Sequence, residues 1–218
     1  SGTEFAAYLI KAVRNDDVFS NTLKIKMYTE SGKMTYAETT EKLKIDGKDY
    51  DDADKELKVL NSIPTLAMVK TTTEGLIKEI DTPYLNGEYE TKDSLSISVE
   101  RKKDSLYKSS GTIGRLSVIN ANTKIFVVPD ESVVQTAEDT DFAIVGMNQV
   151  SNDITVDAET YKTRDRIGFD QYVILRNFTR NNYTNELPVV VDEISTVLND
   201  KGMTVECIEG FQGNNKVS

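Results

Sequence analysis

The side chains with chemistry to offer are mostly carboxylates. Asp46, Asp49, Asp51, Asp52 and Asp54 crowd one short stretch, and oxygen ligands at that density could bind calcium. The stretch lacks the spacing D-x-[DN]-x-[DN]-G-x5-E, so it reads as a solvated turn running into a helix N-terminus. Asp139 and Asp141 read the same way. Paired carboxylates can cleave glycosidic bonds, but with 36 Asp and Glu in the chain such pairs arise by chance. There is no Trp to form a sugar platform and no His at all, which excludes Ser-His-Asp, Cys-His and histidine metal sites. Cys207, in VECIEG, sits at an alternating position with no basic neighbour to lower its pKa, and reads as a small core residue. Gly111-Thr112-Ile113-Gly114 is not a phosphate loop, because no Gly-Lys-Ser/Thr follows it. The basic run Arg101-Lys102-Lys103 reads as a solvated turn. Two sequons, at Asn177 and Asn182, read as accidental. No catalytic, cofactor-binding or metal-ligating residue is assigned, and an enzyme is not expected.

Charge and composition narrow the class. The net charge is −10, which disfavours nucleic acid as a partner, since phosphate contacts need clustered Lys and Arg. Hydrophobic residues make up 38% of the 218, a lean core that suits several thin modules better than one large globule. A single cysteine excludes an intrachain disulfide, which fits the cytosol and equally the surface of an anaerobic Gram-positive cell. No run reaches 18 apolar residues, so no membrane span is expected. The Ser-Gly-Thr start and Asn214–Ser218 end read as the cut ends of a fragment.

The elements that would position any site are strands. Thr112 to Val128 gives two apolar runs, IGRLSVI and TKIFVV, around Asn-Ala-Asn, which predicts a β-hairpin. LKIKMY at 23–28 alternates with period two, with Leu23, Ile25 and Met27 facing in. Gly32 suits the turn of Glu30-Ser31-Gly32-Lys33, and KLKI followed by Asp46-Gly47 is a strong hairpin signal. Periodicity cannot decide whether Ala6–Val13 is strand or helix; the turn formers after it favour a strand. DYDDADKELKVLN at 49–61 predicts a short helix capped by Asp51 or Asp52. Ser94–Val99 alternates as a strand, 130–141 reads as a mobile acidic loop, and YVIL at 172–175 as a buried strand. The expected fold class is all-β with one or two short helices: tandem small antiparallel β modules, barrel- or sandwich-like. The expected divisions are 1–82, a first module with a helix near 51–61; 83–110, a connecting hairpin; 111–180, a second module; and 181–218, a β-hairpin unit beginning a third.

The patterns LKIKMYTESGKMTYAETTEKLKIDGK, GLIKEIDT, TKIFVVPD with the Phe-Ala-Ile-Val and Asp157–Tyr161 segments, and PVVVDEISTVLNDKGMTVECIEGFQGNNKVS resemble the repeated β modules of S-layer homology (SLH) domain-containing cell-surface proteins of clostridia and related gut Firmicutes. The SLH anchoring repeats themselves are absent. The resemblance implies a non-catalytic structural or spacer fragment of an extracellular, wall-associated protein. It also implies partners among other surface-protein copies or cell-wall components, reached through domains outside this fragment. The alternative is a phage- or adhesin-type binding module that recognises a protein or glycan through the loop 130–141, the hairpin 94–103 or an edge strand.

Overall fold

The computed structural model describes residues 2–83, 95–96, 101–115, 117–163 and 169–176. The first half contains strands β1 (Glu4–Arg14), β2 (Leu23–Thr29), β3 (Met34–Ile45) and β4 (Lys48–Tyr50). Helix α1 (Ala53–Val59) and strands β5 (Thr65–Thr71) and β6 (Ile77–Asp81) follow. The second half contains β7 (Leu95–Ser96), β8 (Arg101–Tyr107), β9 (Thr112–Ile113), β10 (Ser117–Val118), β11 (Lys124–Val128), β12 (Ala143–Val145), β13 (Ile154–Thr163) and β14 (Tyr172–Arg176). The all-β expectation holds, with two pairings, β3–β6 and β11–β14, running parallel.

The first sheet runs β2-β1-β5-β6-β3-β4, and β2 also pairs with β3. That last pairing closes five strands into a barrel. Period-two alternation sends Leu23, Ile25 and Met27 inside, beside Leu9, Leu43, Val69 and Ile80, while α1 adds Ala53 and Leu60 to the same core. Asp52 caps α1, its carboxylate accepting from the backbone N–H of Asp54 and Lys55, which satisfies donors that a helix start leaves open. Asp46 and Gly47 both have positive φ, 50° and 86°, and join β3 to β4 in the two-residue turn that strand twist favours.

The second sheet runs β10-β9-β8-β13-β14-β11-β12, with β7 also on β13. Its path repeats the first. In each half the opening strand (β1, β8) lies between the strand that follows it (β2, β9) and a later strand (β5, β13). That later strand pairs antiparallel with the last one (β6, β14), which runs parallel to an earlier strand (β3, β11). This is the strand path of an OB-type Greek-key barrel, present twice. Among the described residues β10 and β11 do not pair, so the second copy stays open.

Several expectations change. The arms on either side of Asn120-Ala121-Asn122 do turn tightly, with the Thr123 N–H donating to the Asn120 carbonyl at 3.0 Å, but they do not form a hairpin. β10 pairs with β9, and β11 pairs with β12 and β14, because longer strands offer β11 a partner on each side. Arg101-Lys102-Lys103 is not a turn: it opens β8, opposite Glu159, Ala158 and Asp157 of β13. The second sheet thus reaches back before residue 111. The 130–141 stretch holds 3-10 turns at Val134–Thr136 and Asp139–Asp141, and Val134 is fully buried. Cys207, both sequons and the unit at 181–218 lie outside the described residues.

The two sheets stack face to face. Ala6, Tyr8, Ile10, Tyr28 and Leu66 of the first pack against Phe126, Val128, Val134, Phe142, Tyr161 and Ile174 of the second. On its far side the second sheet has a core of its own, including Ile125, Val127, Val173 and Leu175. β1, β11 and β14 are therefore covered on both faces, which is why AAYLI and VILR are unbroken buried runs.

Candidate functional site

The concentration of buried charge lies in this seam. Arg176 ends β14, its side chain fully buried. One terminal nitrogen, Nη2, donates to the Tyr8 hydroxyl at 3.2 Å and lies 3.0 Å from Glu159 Oε1 and 3.6 Å from Glu131 Oε2. The guanidinium also sits over the Tyr8 ring, 5.9 Å from its centroid, within cation–π range. Tyr161 donates to the same Glu159 oxygen at 3.0 Å. β1, β13, β14 and the 130–141 stretch thus each supply a member. Burial pushes the Tyr8 hydroxyl up to about 12, so it keeps its proton at neutral pH. Two carboxylates do converge here, but on a guanidinium. That makes an ion-paired guanidinium within the second half, which reaches the first sheet through the Tyr8 hydroxyl, rather than an acid and a base facing a substrate.

A second polar tie crosses the seam at the β2–β3 turn. Glu30 accepts from the backbone N–H of Ala6 and pairs with Lys124 of β11 at 2.9 Å. Burial, with the adjacent Glu30 carboxylate, raises the pKa of Tyr172 above its ordinary value. Sequence reasoning missed both ties, because Arg176 reads as the polar end of a strand and Glu30 as part of a turn.

The acids singled out from the sequence are not brought together as a ligand set. Asp46 is buried rather than solvated: its carboxylate accepts from the Thr82 backbone N–H at 2.7 Å and from its hydroxyl at 2.9 Å, tying the β3–β4 hairpin to the end of β6. Asp52 caps α1, and Asp54 is 3.4 Å from Arg14 at the surface. Asp141 accepts from the backbone N–H of Glu138. Among the described residues no three His, Cys, Asp or Glu side chains form a group that could hold a metal ion, and no helix is long and apolar enough to cross a membrane.

Glu56 on α1 was not singled out, although it is fully buried and neither carboxyl oxygen has a hydrogen-bond partner. Burial, then the charges of Asp52 and Asp51, raise it from 4.5 to about 7. The unfolded chain loses this proton near 4.5 while the folded protein holds it, so stability is full below that value and falls as pH rises to about 7. Glu56→Gln should remove the fall. At pH 8 the variant should exceed the parent by about 1–2 kcal/mol, the full shift being discounted because α1 lies at the surface. At pH 4 the two should match. Urea midpoints at the two pH values check this, and equal differences at both would discard it.

Comparison of the chain with protein-family models, with curated proteins and with solved structures finds no match.

Proposed function

We propose that the chain is a non-catalytic structural spacer in a bacterial cell-surface, S-layer-like protein, outside the cell and associated with the wall. The observation that carries this reading is the seam: two barrel-type units with the same strand path share a third hydrophobic core, crossed by the Arg176–Tyr8 hydrogen bond and the Lys124–Glu30 pair. A spacer must resist bending between its units, and a buried apolar face with an internal ion pair opposes bending far more than a flexible linker does. The resemblance of the turn and strand patterns to those of SLH-domain-containing proteins supports the proposed location. The adhesin-type alternative draws support from exposed aromatics on the first barrel, Phe19 and Tyr36.

The test is fractionation of the source cells with an antibody raised against this chain. Recovery in the wall fraction, released by denaturant and migrating well above 24.4 kDa, is the expected result. Recovery in the cytosol at that mass would overturn the reading.

A further inference from the structure

The chain enters the closed barrel through β1 and leaves it through β6, and both strands lie against β5. Glu4 to Leu9 of β1 run antiparallel to Lys70 to Thr65 on one side of β5. Ile77 to Asp81 of β6 run antiparallel to Thr71 to Met68 on the other. β1 and β6 therefore point the same way. A pull on the start of β1 and the end of β6 draws the two strands in opposite directions along their own axes. Hydrogen bonds between antiparallel strands stand perpendicular to the strands, so the whole ladder carries such a pull at once. A pull at right angles to the strands opens the same ladder rung by rung.

Both loaded ends carry ties beyond the ladder. Where β1 begins, the Thr71 N–H donates to the Thr3 carbonyl at 2.9 Å, and the hydroxyls of the two threonines are hydrogen-bonded at 3.0 Å. The Ala6 N–H donates to the Glu30 carboxylate, and the Glu30 N–H donates to the Ala6 carbonyl at 2.9 Å. Where β6 ends, the Asp46 N–H donates to the Ile80 carbonyl at 2.9 Å, and the Asp46 carboxylate accepts from the Thr82 N–H and hydroxyl. β1 is buried on both faces from Ala6 to Ile10, so it cannot slide without dragging Tyr8 and Ile10 through the shared core. Load also has a second route from β1 to β6, around the ring through β2 and β3. The second half repeats the arrangement, with β8 and β14 running the same way on either side of β13. Its ring route is broken, since among the described residues β10 and β11 do not pair.

We propose that the first barrel is a mechanical clamp that bears tension along the chain in shear, and that the second half is a weaker clamp of the same design, which yields first. The clamp rests on the spacer reading and deepens it, because a wall-associated spacer is loaded along its chain whenever what it carries is pulled.

Single-molecule force spectroscopy of the 218-residue chain tests the proposal, with handles on pairs of introduced cysteines in a C207S background so that each pair sets the direction of pull. E4C/K92C loads β1 and β6 in shear. E4C/E74C joins the start of β1 to the β5–β6 turn beside it, two exposed positions between which the ladder opens from Glu4 and Lys70. Rupture force reports the barrier to unfolding along the pulled direction. E4C/E74C should break at roughly half the force of E4C/K92C or less, since one rung then bears what the ladder bore. K92C/N182C, which loads the second half, should fall between the two. Asp46→Gly suits the positive φ of 50° at that position and removes the carboxylate tie at the end of β6, so it should lower the E4C/K92C force and leave that of E4C/E74C unchanged. Equal forces for E4C/K92C and E4C/E74C overturn the clamp, and a K92C/N182C force at or above that of E4C/K92C overturns the order of yielding. Directional strength in a chain recovered from the cytosol would keep the clamp and sink the spacer reading; its absence in a wall-bound chain would do the reverse.

Discussion

Arg176→Met should destabilise the protein by about 3–5 kcal/mol, the cost of breaking a buried ion pair from one side. Met matches the aliphatic stem and leaves little cavity, so the loss would come from what stays behind. Glu159 has 7% of its side chain exposed and would keep a buried charge facing a neutral hydroxyl, that of Tyr161, with its cation gone. Glu131, 40% exposed, can turn to solvent and adds little. Adding Glu159→Gln to Arg176→Met should therefore recover most of the loss, because Gln offers an uncharged oxygen to the Tyr161 hydroxyl. Glu159→Gln alone should fall between the two, since Arg176 would still have Glu131 and Tyr8 within reach. Urea denaturation of the four proteins forms a double-mutant cycle. A loss below about 1 kcal/mol for Arg176→Met would mean that the seam is wet and the pair behaves like a surface one.

The limits of the sequence reading follow from the same seam. One-sided strands were legible because they alternate: Leu23, Ile25 and Met27 face the barrel core as expected, and the alternating KLKI segment sends Leu43 and Ile45 to the same core. The helix and its cap were legible because an Asp before a short apolar stripe is a local signal. β1 was ambiguous for a physical reason, since Ala6 to Ile10 are buried on both faces and a two-sided strand carries no period. The hairpin expected over Thr112–Val128 failed because both arms had better partners far along the chain. The parallel pairs β3–β6 and β11–β14 have no local signature at all. The repeated strand path was hidden as well, since one half carries a capped helix where the other carries 3-10 turns.

The candidate site was less legible than the fold. Carboxylates drew attention where they cluster in sequence, yet most of those that matter in the structure lie elsewhere: Glu30, Glu56 and Glu159, with Asp46 alone of the cluster buried in a structural tie. Burial decides their roles, and burial depends on which strands meet. Arg176 shows this most plainly. Its sequence neighbours give it no acid, and its partners come from β1, β13 and the 130–141 stretch.

Phe126→Ala should cost about 3–5 kcal/mol and should also uncouple the two halves. Phe126 is fully buried at the middle of β11, opposite Ile144 of β12 and Ile174 of β14. It faces the shared core, while Ile125 and Val127 on either side face the core beyond the second sheet. Truncation therefore opens a cavity in the seam and leaves the adjacent core filled. Ile125→Ala is the matched control, removing apolar volume from the same strand on the opposite face. The parent should melt in a single cooperative transition, because neither half can lose the shared core without exposing the other. Ile125→Ala should lower that transition and keep it single. Phe126→Ala should split it into two, with the closed barrel melting last, since β2–β3 pairing completes its own hydrogen-bonded ring. Calorimetry reads the split directly, and small-angle scattering below the first transition should show whether the halves have begun to move apart. A single transition in Phe126→Ala, with a scattering curve like the parent's, would assign the mechanical coupling to the Arg176–Tyr8 hydrogen bond and the Lys124–Glu30 pair instead of to the apolar seam.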